Sequence, residues 1–327
     1  MSSQLDTSLT LGLESTYGTP ATLTDSFEGQ GDSWKREMQY LDSVGFRAGD
    51  ETLRSDRRVA INMGGAASME MDVLNKGLGF LLQGMCGGGT QTPTQIGATA
   101  AYKQTHSSQA AASLASYTAQ MQRVGADGAL QSFTHHGATI TGWSFSQEVD
   151  DFLKLSLDFD LEDVDTSTGD GTPAYPASAS PFDWTQLVAT INSVATDLTS
   201  MEFAADLKLK TDRRFLRGNE LKKQPKRTGR PAYNGSVSAE FTDTTEYDLF
   251  VAGTIVPIVF TWTGAVIESP EVFELVITLP ACQFTGEAPS SQVDGNDLPM
   301  QSLPFVVLDN GTDPAYTIEY TSTDTAL

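Results

Sequence analysis

The side chains best suited to chemistry in this chain are few and poorly spaced for a shared site. His135 and His136 are adjacent, so in a strand their rings would point to opposite faces and could not hold one ion together. We expect both to be exposed strand or turn residues. His106 lies in a stretch rich in Ser, Gln and Ala without neighbouring ligand residues. Cys86 and Cys282 have no metal-ligand spacing and are expected to be unpaired thiols.

Segments that could bind phosphate or calcium lack the patterns these ligands require. Gly87-Gly88-Gly89-Thr90 has neither the lysine nor the following Ser/Thr of a phosphate loop. The acidic stretches 162–165 and 170–171 do not match the twelve-position calcium loop. Paired carboxylates are too common in this chain to mark an acid–base site. We therefore expect no catalytic residue, no cofactor and no metal, and an enzyme is the least favoured class.

One cluster of charge departs from this background. Half of the chain's 20 Lys and Arg residues lie between Lys208 and Arg230, where acidic residues are scarce. A solvated loop, a phosphate-binding patch and an arm that docks on acidic protein surface are all compatible with this composition. Aromatic residues are nearly absent from the interval, which does not support a base-stacking surface.

The remainder of the 327-residue chain is acidic, with a formal net charge of −22. An ordinary acidic protein and a protein adapted to high salt, where self-repulsion is screened, both fit this charge. No apolar run reaches the length of a membrane span, and the first residues lack the pattern of a secretory signal. These features and the two thiols favour synthesis in the cytoplasm and no membrane partner.

Two-residue alternation of apolar and polar side chains dominates the chain. It is cleanest over 153–161, where Leu and Phe alternate with Lys, Ser and Asp, and it recurs over 69–73, 237–241 and 273–279. Such strands have one buried and one wet face, as in antiparallel sandwiches or barrels. Helical patterns are limited to 74–83 and 243–252. The fold class is therefore mainly β with a small helical component.

The two helical candidates occupy matching places, which suggests an internal duplication. Residues 65–80 align without gaps to residues 235–250, pairing Gly65 with Gly235 and Phe80 with Phe250. The halves would be 1–165 and 166–327, separated by a linker-like seam over 163–180. The irregular stretch 87–126 has no counterpart of similar length, and we interpret it as an insertion that forms a surface excursion.

Four motifs follow one another in the first quarter of the chain. They are Glu14-Ser15-Thr16-Tyr17-Gly18-Thr19-Pro20, the Arg-rich segment 53–58, the Gly/Ser-led strand 64–73, and Lys76-Gly77-Leu78-Gly79-Phe80-Leu81-Leu82. This order resembles the major tail tube proteins of long-tailed, siphovirus-like phages and of haloarchaeal tailed viruses. Beyond the first quarter, the resemblance rests on the strand pattern alone.

The resemblance implies a tail-tube-type β-sandwich or barrel with a short flanking helix, here duplicated. It also implies a structural virion protein made in the host cytoplasm, whose stacked rings form a channel for genome delivery. Its partners would be copies of itself, other tail proteins, and double-stranded DNA that passes through without specific binding. A ring of six folds would need three chains if the fold is duplicated and six if it is not; we favour three.

The resemblance further implies that the segments between the first strands of each fold contact the neighbouring ring. The candidate contact residues are Arg54, Arg57, Arg58, Arg213, Arg214, Arg217, Lys222 and Lys223. Nucleic-acid binding is the rival interpretation of the second group. Two further alternatives for the whole chain are another virion β protein, such as a tail terminator or a capsid-associated protein, and a carbohydrate-binding β-sandwich.

Overall fold

The computed structural model describes residues 7–49, 51–109, 114–286 and 298–327, and it is mainly β. The elements of the first half, in chain order, are β1 (Ser8–Leu13), β2 (Asp25–Phe27), β3 (Gly29–Asp42), β4 (Arg58–Asp72), α1 (Gly79–Cys86), β5 (Gly87–Gly88), β6 (Thr94–Gln95), β7 (Tyr102–Ser108), β8 (Tyr117–Val124), β9 (Leu130–Glu148), β10 (Lys154–Leu161) and β11 (Asp163–Asp165). Those of the second half are β12 (Leu187–Ile191), β13 (Val194–Thr196), β14 (Leu198–Asp206), β15 (Leu209–Lys210), β16 (Lys226–Arg227), β17 (Ala232–Glu240), α2 (Thr245–Ala252), β18 (Val256–Glu268), β19 (Glu271–Phe284), β20 (Met300–Val307) and β21 (Thr317–Ser322). Short 3-10 helices cover Ser55–Arg57 and Trp184–Gln186.

The first half contains two antiparallel sheets that share strand β9. The early residues of β9 pair with β8 in a flanking sheet of order β2-β1-β8-β9-β11. The later residues of β9 pair with β10 in a second sheet of order β3-β4-β10-β9, which we call the central sheet. A long strand that bends from one sheet into the other lets both sheets enclose a common apolar core.

The second half repeats this pairing order strand by strand. Its flanking sheet is β13-β12-β18-β19-β21, and its part of the central sheet is β14-β17-β20-β19. Each half also carries one helix after the second strand of its long hairpin: α1 follows β4, and α2 follows β17.

Among the described residues, two strand pairings join the halves, in addition to isolated β-bridges. In the central sheet, Gly142–Glu148 of β9 pair antiparallel with Ser200–Asp206 of β14, so that sheet is continuous across the chain. In the flanking layer, Tyr102–Ser108 of β7 pair with Thr317–Ser322 of β21. We call residues 87–109, which carry β5, β6 and β7, the strap, because this segment of the first half adds a strand to the second.

The two aligned glycines hold the same position in the two hairpins. A Cβ on Gly65 would lie 2.1 Å from the Lys35 carbonyl oxygen, and a Cβ on Gly235 would lie 2.5 Å from the Glu202 carbonyl oxygen. In each case the carbonyl belongs to the facing hairpin strand, β3 or β14. The backbones therefore approach too closely for any side chain larger than hydrogen.

The expectation that residues 87–126 form a surface excursion is wrong. Outside residues 110–113, which lie beyond the described part, this segment supplies β7 and β8 to the flanking sheets. Tyr117 and Met121 of β8 belong to the hydrophobic core. Low sequence complexity was a poor guide here because small residues also pack well on buried, closely spaced strands.

Of the two histidines expected to be exposed, His135 is buried and His136 is partly exposed. His135 is 4% exposed and packs against Trp34 with ring centroids 5.2 Å apart, and His106 is fully buried beside Gln104. Burial lowers the pKa of both rings to about 4, since the charged form would lose its hydration. Both therefore act as neutral core residues.

The first helix is shorter than the sequence pattern predicts. Residues 74–78 are excluded because Leu74 forms a β-bridge with Pro181 and Gly77 takes a left-handed φ of +77°, so α1 begins at Gly79. The second helix, α2, lies within the predicted range. Among the described residues, no helix is long and apolar enough to cross a membrane.

The paired glycines give a test of the two hairpins. Gly65→Ala and Gly235→Ala should each lower the free energy of unfolding by about 1–3 kcal/mol, because the new methyl must displace a backbone carbonyl. Gly31→Ala in β3 is the matched control, since its Cβ would meet nothing within 4 Å. Chemical denaturation of the three variants checks this, and equal stability of all three would refute the close approach.

Candidate functional site

The solvent face of the central sheet at the junction of the halves is polar. Serines and acidic residues alternate along the strands with the core side chains, and the register brings them into rows across β4, β10, β9, β14, β17 and β20. This face carries Ser68, Glu70, Ser144, Ser146, Glu148, Ser156, Asp158, Ser200, Glu202, Asp206, Ser236, Ser238, Glu240 and Ser302. The result is a broad hydroxyl-rich surface with excess negative charge.

Strand β10 follows the predicted alternation except at one residue. Leu155, Leu157 and Leu161 are buried, and Asp158 is exposed, as expected of a strand with one wet face. Asp160 was predicted on the wet face and is instead only 6% exposed. It is covered by a side chain from the second half.

That side chain is Lys222, whose ammonium group forms an ion pair with the Asp160 carboxylate. Both side chains are nearly inaccessible, and Gly64 makes the approach possible, since a Cβ there would lie 3.0 Å from Lys222 Cε. Burial raises the pKa of Asp160 to about 6, and the charge of Lys222 opposes that rise. Lys222 was a candidate for contact with another subunit, but in this fold its charge is used within the chain.

Lys222 belongs to the basic loop, which we define as residues 207–231 between β14 and β17. Two further bonds carry this loop onto the first half. Gln224 Nε2 donates to the Leu114 carbonyl oxygen at 2.9 Å, and Arg227 Nη1 donates to the Gln109 carbonyl oxygen at 2.7 Å. The loop of the second half therefore crosses the junction and packs on its neighbour within the chain.

The other predicted cations of the basic loop hold its tip together. Arg213, Arg214 and Arg217 each donate to a backbone carbonyl of residues 220–224, over 2.5–2.9 Å for the bonds to Gln224, Glu220 and Leu221. Lys223 lies 5.0 Å from the centroid of the Phe215 ring. These cations are partly or fully exposed, so they stabilise the loop and still present positive charge to the surroundings.

Arg54, Arg57 and Arg58 lie on a different structure, the arm, which we define as residues 36–49 and 51–64. In the part of the chain that the structure describes, β3 and β4 pair here only with each other, since β10 reaches no further than Gly65. Arg54 pairs with Asp56 at 2.8 Å, while Arg58 lies 3.6 Å from Asp42 and stacks on Tyr40. The arm exposes apolar side chains: Leu41, Val44, Phe46, Leu53 and Val59.

A second set of buried charges surrounds the first sequence motif. Glu14 accepts hydrogen bonds from the amides of Gly18 and Gly137 and from the hydroxyls of Ser116 and Thr118, at 2.7–3.1 Å. Four donors satisfy the oxygens of this buried carboxyl group. The motif Glu14 to Pro20 is therefore an anchor that ties the first loop to β8 and β9.

Glu162 lies against this anchor and faces the basic loop. A Cβ on Gly18, whose φ is +73°, would collide with the Glu162 carboxylate, so the close approach depends on this glycine. Burial raises the pKa of Glu162 to about 7; the nearby Glu14 adds to the rise, and Arg217 and Lys222 oppose it. Acids of the first half and cations of the second thus meet at one boundary.

Sequence reasoning identified the basic loop and missed its acidic partners. Asp160 and Glu162 continue the polar phase of the alternation over 153–161, so the local sequence carried no signal that they are buried. Their burial depends on the basic loop, which approaches from the second half.

The buried ion pair has a measurable cost when broken. Lys222→Met should lower the free energy of unfolding at pH 8 by about 3 kcal/mol, because it leaves an uncompensated charge on Asp160. At pH 5 the loss should be smaller, since Asp160 can then be neutral. Lys222→Met combined with Asp160→Asn should recover much of the stability. Denaturant titrations at both pH values test this, and an unchanged stability of Lys222→Met would contradict the pair.

Removing the charge of Glu162 should stabilise the protein at pH 8, whereas removing the charge of Lys222 should destabilise it. The pKa of Glu162 in the folded state, about 7, exceeds the ordinary value of 4.5, so its contribution to stability is full below pH 4.5 and is lost as the pH rises through 7. Glu162→Gln should therefore raise the melting temperature at pH 8 and change it little at pH 5. Glu202→Gln on the exposed face is the control. Destabilisation by Glu162→Gln at pH 8 would contradict the assignment.

Comparison with known proteins agrees with this architecture. The family model described as phage tail tube protein matches residues 4–307. No curated protein sequence matches the chain. Because the match spans nearly the whole sequence, the chain belongs to the phage tail tube protein family.

Proposed function

We propose that this protein is the major tail tube subunit of a tailed virus and that each chain contributes two tube folds, residues 1–165 and 166–327, to a ring. The observation that carries the proposal is the β9–β14 pairing, which joins the halves edge to edge in one continuous sheet. Repeating that contact between chains would close a ring of six folds from three chains. The rival stoichiometry, six chains, requires that each chain contribute one position.

The free edge of β3 supports this closure. β14 pairs on one side with β17 and on the other with β9, whereas its counterpart β3 pairs only with β4 among the described residues. An open edge of this length is an aggregation hazard unless a strand covers it. In the proposed ring, the second half of the neighbouring chain covers β3 as the first half covers β14.

The polar face of the central sheet would line the channel. Ring closure turns one face of a continuous sheet inward, and the other face is occupied by the hydrophobic core. Serines supply a hydrated wall, and acids such as Asp158, Glu202 and Glu240 repel phosphates. Double-stranded DNA would then pass during genome delivery without specific binding. The subunit would be made in the host cytoplasm and reside in the virion tail beside other tail proteins.

The arm and the tip of the basic loop are the proposed contacts between stacked rings. A two-stranded ribbon is marginally stable alone in water, and the arm is such a ribbon with exposed apolar residues. Its cations Arg54, Arg57 and Arg58, together with Arg213, Arg214, Arg217 and Lys223 of the basic loop, would meet acidic surface on the adjacent ring. One exposed ion pair adds about 0–1 kcal/mol. The register of one ring on the next would therefore depend on several such pairs acting together.

Electron microscopy of the purified protein tests the function. Wild-type protein in negative stain at several salt concentrations should form tubes with a central channel, more readily at high salt, where repulsion between acidic subunits is screened. Arg57→Glu combined with Arg58→Glu should leave folded rings that no longer stack. Arg230→Glu, an exposed cation outside the proposed contacts, is the control and should form normal tubes.

Two results would count against the proposal. A wild-type protein that stays a single chain at every salt and protein concentration would remove the tube function. Normal tubes from the Arg57/Arg58 variant, with a weaker and steeply salt-dependent binding of duplex DNA as its only defect, would favour the nucleic-acid interpretation of these cations.

A further inference from the structure

The two helices hold equivalent places in the halves and differ completely in burial. Every residue of α1 except Gln83 is buried, whereas no residue of α2 is buried. Both helices have eight residues, and both end in a left-handed glycine, Gly87 or Gly253. The difference therefore does not come from helix length or termination and must come from what covers each helix.

α1 is covered by its own half and by contacts that cross the junction. Phe80 packs against Tyr117 of β8 with ring centroids 5.1 Å apart, and Gln104 of the strap lies against Gly79. The turn before α1 binds the second half. The amide of Gly77 donates to Asp324 Oδ2 at 2.8 Å, and the hydroxyl of Tyr320 donates to the Leu74 carbonyl oxygen at 3.3 Å.

α2 packs on its own half through Leu249 and Phe250, but among the described residues it has neither a strap nor contacts across a junction. The chain passes from the end of α2 to the start of β18 without a strap, so nothing equivalent to β5, β6 and β7 follows the helix. Tyr247, Val251 and Ile255 are 40%, 63% and 55% exposed. Tyr247 and Val251 are four residues apart and lie on one side of α2, and Ile255 follows shortly after Gly253, where the helix has ended. We call these three side chains the α2 stripe.

Two residues of the α2 stripe occupy helix positions that are covered in the first half. Matched at the left-handed glycines that end them, Gly87 and Gly253, the two helices place Tyr247 opposite Leu81 and Val251 opposite Met85. Leu81 and Met85 are fully buried. These two helix positions are thus buried in the first half and exposed in the second.

We infer that the α2 stripe is the docking surface for the first half of a second copy of this chain. The inference rests on the proposed ring and adds to it the surface that closes the contact between chains. The occupant follows from the junction within the chain, where the second half makes two contacts with the first. β14 pairs with the edge of β9, and β21 together with the residues after it covers the turn before α1. In the next junction their counterparts are β3 and β11, each of which has one edge without a partner strand among the described residues.

A matched pair of valine variants tests this inference. Val251→Asp in the stripe and Val266→Asp in the β18–β19 hairpin change the same residue type at nearly equal exposure, 63% and 64%. A carboxylate buried at an interface without a partner is costly, so Val251→Asp should raise the protein concentration for half-maximal ring formation roughly tenfold or more. Val266→Asp should leave it within about twofold, since an isolated surface change has little effect. Mass photometry or sedimentation velocity measures both.

A second measurement covers the case in which Val251→Asp lowers the melting temperature. Val251→Cys and Val266→Cys can each carry an environment-sensitive fluorophore, because the native Cys86 and Cys282 are buried. Mixed as a minor fraction with wild-type chains, the label at 251 should shift to the blue on ring formation and the label at 266 should not. Rings from Val251→Asp at wild-type concentration, equal loss in both aspartate variants, or no blue shift at 251 would overturn the inference. If wild-type and Val266→Asp chains form no rings, the proposed function itself fails.

Discussion

A strand at the edge of a sheet leaves a row of backbone N–H and C=O groups unpaired, and in this chain the pairing of β9 with β14 satisfies two such rows at once. That ladder determines the rest of the architecture. It makes one central sheet from two halves, keeps their polar faces on the same side, and brings the basic loop of the second half within reach of Asp160 in the first. The cores on either side then share aromatic contacts, such as Trp143 with Phe203 at 5.2 Å between ring centroids.

The junction inside the chain has more contacts than the β-ladder alone. The strap adds a strand to the flanking sheet of the second half, and Lys222 adds a buried ion pair. The arm of the first half has no cluster of lysines comparable to the basic loop, and α2 has no strap. A contact between chains would thus be more apolar and less extensively paired than the contact within one. This difference would make each chain a rigid pair of folds and leave ring assembly reversible and sensitive to salt.

The strand pattern could be predicted from sequence because alternation directly reports which face of a strand is buried. The buried leucines of 153–161 followed from it, and separate helical patterns placed α2 within its predicted range and α1 partly outside it. The glycine pair Gly65 and Gly235 was visible as an alignment, although only the structure gives its cause in two facing carbonyls. The buried state of Asp160, the pairing of β7 with β21 and the pairing of β8 with β1 depend on partners more than 50 residues away. No local pattern encodes such contacts. Because the strap is rich in small polar residues, its composition predicted a surface excursion instead of paired strands.

The central claim is that one chain supplies two positions of a ring, and the mass of an isolated ring tests it most directly. Native mass spectrometry of rings, released from tubes or trapped by the Arg57/Arg58 variant, counts the chains without reference to any image symmetry. The account predicts a mass of three chains, with averaged images of the same particles resembling a sixfold ring. A mass of six chains would contradict it, because each chain would then fill a single position and the β9–β14 ladder would not be the contact that the ring repeats.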